Sequence, residues 1–312
     1  MAKNTGILRF RRKVGEFVGA KGRNGENVIR KHVDTIYNPR TNAQLAQRIK
    51  IAPAQNFYAA LGDILDHSWQ GVRYGADSMS RFMSHALKMA EGFPYVTKGT
   101  KEAWPGSYLV SSGALNGVDF KCIDKGLILK GDYHATNTIG NFSQMLIEHN
   151  PGLQNGDQLT FILCYIVNEA PVYMTGRFFI DTENTSALPG LTGSDYPDMG
   201  SLIFTAGDTN YPEYNSGYEI TVKWSRNDIA GNTTECIAAA CIASRPPRRK
   251  GAWLRSNTKM KCTSTYKAIY MGPVRLQHAM DSYAVEENAP NSEYYLNGGS
   301  GETSGGSGSG SI

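Results

Sequence analysis

From Tyr108 to Met271 the chain is written in short apolar runs rich in Val, Ile, Tyr and Thr, separated by Gly, Pro, Asn and Asp. That rhythm limits the fold more than any other feature. β-branched and aromatic residues suit a pleated, half-buried surface, and the punctuating residues suit tight turns. Strands are predicted at 107–110, 120–123, 127–129, 158–167, 172–180, 201–204, 218–224, 234–244, 253–262 and 266–271, with short helices at 139–149 and near 274–283. The 34 glycines and 17 tyrosines of the 312-residue chain agree with many turns joining strands that carry aromatic rings. One or two antiparallel sandwich-like domains are the expectation.

The first fifty residues read differently. Short apolar pairs between residues 6 and 33 alternate with basic residues, and the Gly-Ala-Lys-Gly-Arg-Asn-Gly stretch at 19–25 is a turn signal, so a basic β-hairpin is predicted. Asn38-Pro39-Arg40-Thr41 then ends the extended chain. Thr41 and Gln44 form a Thr-x-x-Gln capping box, and Leu45, Ile49, Phe57, Leu61 and Ile64 follow a helical period, with Pro53 expected to kink or split the helix. A second amphipathic helix is predicted over 77–90. The expected class is mainly β with a helical N-terminal part (α+β). Its layout is a basic hairpin with helical region at 1–92, a β-rich region at 93–297 that is one domain or two divided near 150, and a flexible Gly/Ser tail at 298–312.

Charge is unevenly spread. Residues 1–50 hold twelve Lys and Arg against Glu16, Glu26 and Asp34, a net of +9, so the other 262 residues carry −5 of the chain's overall +4. Arg9, Arg11 and Lys13 alternate, which projects them from one strand face, and Arg12, Lys21, Arg23, Arg30, Lys31 and Arg40 add to the set. A second cluster, Arg248, Arg249 and Lys250, follows two prolines that stiffen its loop. Two kinds of partner fit: a phosphate backbone, with Phe10 and Phe17 stacking on unpaired bases, or the acidic body of a neighbouring subunit.

Signs of catalysis are sparse. The chain contains no G-x-S-x-G, no G-x-x-x-x-G-K-[ST], no H-E-x-x-H and no EF-hand loop, and its six histidines are scattered singly. The five cysteines form no C-x-x-C pair, so neither a disulfide framework nor a zinc site is suggested, and Cys164 reads as a buried small hydrophobe. Asp195, Asp198, Asp208 and Glu213 lie among tyrosines in a stretch that matches no calcium loop, and sugar binding there is a third reading. No catalytic, cofactor or metal residues are assigned, and no small-molecule substrate. No run of about eighteen apolar residues and no signal-like apolar segment occurs, so no membrane partner is expected.

Particular residues carry a resemblance. Gly6-Ile-Leu, Lys13-Val-Gly, Val28-Ile-Arg30 and Asn38-Pro-Arg-Thr41 with Gln44, Gln47 and Arg48 resemble the opening of an uncharacterised family from Bacteroidetes bacteria and their phages and prophages. Pro105 to Gly113, Trp253-Leu-Arg-Ser256 and Leu296-Asn-Gly298 fit the same pattern, and the dense Arg9-Phe-Arg-Arg-Lys13 run departs from it. The resemblance implies a basic N-terminal element, a helical middle and immunoglobulin-like β domains, with no catalytic residue to carry over. It implies a structural or assembly protein of a phage virion, located in the particle or the bacterial cytoplasm. Its partners would be copies of itself, other virion proteins or nucleic acid. A single-stranded nucleic-acid binder and a carbohydrate-binding surface protein are the alternatives.

Overall fold

The computed structural model describes residues 2–3, 12–21, 27–32, 42–89, 94, 101–129, 138–189, 202–206, 220–224, 235–247 and 251–271. The chain divides into two units, Met1–Arg40 and Thr41–Ile312.

The first unit holds one antiparallel sheet of β1 (Ala2–Lys3), β2 (Arg12–Val14), β3 (Phe17–Lys21) and β4 (Asn27–Lys31), in the order β1-β4-β3-β2. The expected hairpin is β3–β4, whose ends meet at Lys21 and Asn27. A second hairpin, β2–β3, turns through Gly15 and Glu16 between the paired Val14 and Phe17. Gly15 has φ +58°, a left-handed conformation that a residue without Cβ enters at little cost.

In the second unit the central layer is built on β8 (Gln158–Val167), β9 (Ala170–Phe179) and β12 (Cys236–Arg245), extended by the short β13 (Leu254–Arg255) and β15 (Lys261–Cys262). The near-continuous apolar reading of β8 is the signature of a strand covered on both faces. That is what the packing shows. On one face lie α1 (Asn42–Ala60), α2 (Gly62–Leu65) and α3 (Ala76–Ala86), with Phe57 edge-on to Tyr173 at 5.6 Å, tilted on Tyr108 at 4.8 Å and stacked with Phe82 at 5.8 Å. On the other face lie α4 (Ile139–His149) and a second antiparallel sheet of β6 (Phe120–Ile123), β7 (Gly126–Leu129), β10 (Leu202–Ala206) and β11 (Ile220–Trp224), in the order β10-β11-β7-β6. Phe142, Phe161, Phe178 and Phe204 join that face, the Phe142–Phe178 centroids lying 5.1 Å apart. Burying rings of this size contributes about 1.5–3 kcal/mol each.

The chain is thus mainly β with several antiparallel sheets, and α1, α2 and α3 cover one side of the main sheet. The β8–β9 hairpin turns on Asn168 (φ 50°) and Glu169 (φ 63°), both left-handed, as a two-residue connection matched to strand twist requires.

Three expectations are corrected. Residues 266–271 are not a strand: α5 (Ser264–Tyr270) starts where the Thr263 hydroxyl accepts from Tyr266 N, and buried Tyr266 donates its hydroxyl to Pro105 O at 2.7 Å. Residues 253–262 are not one strand, because β13 and β15 pair with β12 while the intervening β14 (Thr258–Lys259) pairs with β5 (Leu109–Ser111). The helix is not split at Pro53, which lies inside α1; it breaks at Leu61, whose φ −118° and ψ 19° leave the helical region. The Thr41 cap, the helix near 274–283 and the 298–312 tail lie outside the described residues. No described helix is long and apolar enough to cross a membrane.

Candidate functional site

The register of the small sheet sorts its basic residues. Lys13 and Arg30 both pair with Val18 from opposite sides, so they share a face, two strand spacings or about 10 Å apart. Phe17 pairs with Lys31, which puts that couple on the other face. Lys13, Arg30 and Lys31 are exposed, and Phe17 is 51% exposed, unusual for a large ring. Positive charge is therefore offered on both faces of the sheet. Arg12 and Lys21 lie in β2 and β3. Arg9, Phe10, Arg11, Arg23, Arg40, Arg248, Arg249 and Lys250 fall outside the described residues, as do Asp195, Asp198, Asp208 and Glu213. Arg245, which opens the second cluster, is engaged with Asp157, 2.7 Å away.

A polar patch that the sequence reading did not single out lies on the helix-facing side of the central sheet. Ser244 pairs with both Gln158 and Arg255, and Thr160 pairs with both Ile242 and Arg177. Alternation along the strands puts these six positions on one face, spread across four neighbouring strands. Ile162, Cys164 and Ala240 continue the face as buried apolar residues. The α2 helix and the turn after it bring Asp63, His67 and Tyr74 over the patch, enclosing a cavity of about 190 Å³. The His67 and Tyr74 rings lie 4.2 Å apart, and the Arg255 guanidinium sits 4.9 Å over the Trp253 indole. Burial pushes Arg255 below its usual pKa, Tyr74 opposes this, and the charge of Arg177 adds to it. Only pairing register brings Arg177 and Arg255 together, so no local motif could have flagged them.

A larger cavity of about 630 Å³ is lined by Lys121, Lys259, Lys261 and Lys267 with Cys122 and Cys262. There the Lys261 ammonium donates to Phe120 O and lies 4.4 Å over the Phe120 ring, so it is already held. None of the five cysteines is in a disulfide and all are buried, and burial pushes the thiols of Cys122, Cys164 and Cys241 up. Among the described residues no three His, Cys, Asp or Glu side chains gather in a metal-binding arrangement.

Comparison with known proteins finds no family model, no curated protein and no solved structure that matches the chain.

Proposed function

We propose that this is a non-enzymatic structural or assembly protein that docks on an acidic partner through its basic N-terminal sheet. The resemblance of the first fifty residues supports a phage particle as the setting, with neighbouring copies or other virion proteins as partners, and it supports reading the packed sheets as a sandwich-like body. The observation that carries the docking role is the two-sided charge of the sheet, Lys13 and Arg30 on one face and Lys31 on the other. A strand that only needs solubility gains it from charge on one exposed edge. A sheet that is cationic on both faces can bridge two acidic surfaces, and the −5 of residues 51–312 supplies one such surface in every copy.

Single exposed ion pairs contribute about 0.2–1 kcal/mol each and are screened by salt, so docking should depend on several at once and weaken as salt rises. Light scattering with size-exclusion chromatography tests this. Association at low salt is expected, with reversal at high salt and loss in a Lys13→Glu/Arg30→Glu variant. A strict monomer at high concentration and low salt would overturn the reading.

Phe17 beside Lys31 favours a second reading, single-stranded nucleic acid. An exposed ring next to a cation can stack a base while the ammonium meets its phosphate, and affinity would fall with salt at a log–log slope of about −0.7 per phosphate contacted. Fluorescence anisotropy with labelled oligonucleotide at ~50 mM salt is expected to detect binding that Phe17→Ala weakens. No change in anisotropy would end this alternative.

A further inference from the structure

The patch on the central sheet is unlike the face around it. Ser244 is 1% exposed and lines the cavity beside Gln158 and Thr160. Arg177 and Arg255 reach the same cavity from the outer strands β9 and β13, and neither guanidinium has a carboxylate within ion-pair distance among the described residues. Two like charges therefore face one small space that holds one carboxylate, Asp63.

We propose that this cavity binds a single phosphate group, with Arg177 and Arg255 clamping it from opposite sides and the Ser244 hydroxyl donating between them. Guanidinium forks match phosphate oxygens two at a time, which is why paired arginines recur where phosphate is held. Size points the same way. The volume of about 190 Å³ admits a phosphate with a few waters and lies below the ~300 Å³ at which pockets for larger ligands begin. Asp63 refines the choice among anions. Its carboxylate accepts a hydrogen bond from a phosphate that keeps one proton, and repels sulfate, which has none to give. The site is separate from the basic sheet, so failure of either proposal leaves the other standing.

The test uses the full chain at constant ionic strength, with chloride as the reference anion. Inorganic phosphate and glycerol 3-phosphate are titrated by calorimetry, and the melting temperature is followed in parallel, since a ligand that binds only the folded state raises it in proportion to RT ln(1 + [L]/Kd). Saturable binding of at least one is expected, with sulfate at least ~10-fold weaker because it leaves Asp63 facing an unprotonated oxygen. Tighter inorganic phosphate identifies the free ion as the ligand, and tighter ester identifies a larger molecule anchored by its phosphate. Arg177→Gln, at an exposed position that the fold does not require, is expected to weaken binding ~10-fold or more, and Arg255→Gln likewise. Ser244→Ala, a smaller residue at the same buried position, should weaken it less while leaving the protein folded. No saturable binding of either phosphate, equal binding of sulfate, or affinity unchanged in Arg177→Gln would overturn the proposal.

Discussion

Arg245 holds Asp157 by two prongs across 88 positions of sequence, Nε 2.7 Å from one carboxylate oxygen and Nη2 2.7 Å from the other. Asp157 is 1% exposed and also accepts from Gln154 N at 2.8 Å, while Arg245 donates further to Gly152 O. The hydrogen-bonded carboxylate raises the arginine's already high pKa against the opposing effect of burial. The pair closes the seam where β8 begins and β12 ends. Asp157→Ala would leave a half-buried cation unpaired, and a loss of about 3–5 kcal/mol is expected, read as a lower urea midpoint at unchanged slope.

The β8–β9 turn is a place to gain stability. Glu169 sits at φ 63°, where a side chain with a Cβ is strained by about 1–2 kcal/mol. Glycine removes that strain but frees the unfolded chain, so Glu169→Gly should stabilise by ~0.5–1 kcal/mol net and raise the melting temperature by a few degrees. Asn168, of a residue type that tolerates this region, should gain less from the same change.

His85 gives the fold a pH dependence. Its ring stacks on Trp69 at 5.7 Å, and burial lowers its pKa, with Arg81 and Lys88 acting the same way. The folded state therefore resists a proton that the unfolded chain accepts near pH 6.5. This contribution is complete above that pH and declines as pH falls through it toward the lower folded value. His85→Gln should flatten the stability profile between about pH 7 and 5 relative to the parent, measured by denaturant titration at each pH.

The thiols should be silent. With five buried cysteines, and burial raising Cys122, Cys164 and Cys241, a thiol reagent at neutral pH is expected to label the native protein slowly and all five sites after denaturation. Fast labelling of native protein would show that the core opens.

Much of the fold was legible where local pattern and tertiary demand agree. The bounds of β6, β8 and α4 coincide with the predicted runs, because period and burial call for the same structure there. Tyr266 to Tyr270 read as a strand since tyrosine and isoleucine favour one, yet the Thr263 cap and the stacking of Tyr266 and Tyr270 on Trp104, at 6.3 and 5.1 Å, reward a helix. Pro53 lacks an N–H to donate, but packing of Ala54 and Phe57 carries the helix past it. The small sheet was foreseen as a hairpin, since Asn-Gly turns are local signals. Its two-sided charge depends on which residue faces Val18, which only pairing decides. The cavity is harder still: Arg177 and Arg255 are 78 positions apart, and their meeting is a property of strand order.

The central position of β8 bears on how the molecule can be read from outside. It has β9 on one side, β12 on the other and layers above and below, so its backbone amides have no local route to solvent. In deuterated water, the protons of Phe161 to Cys164 should exchange only when residues 41–312 open as a whole. Their slowest rate would then report the free energy of the entire second unit, a built-in gauge against which any substitution, ligand or partner could be weighed without a denaturant.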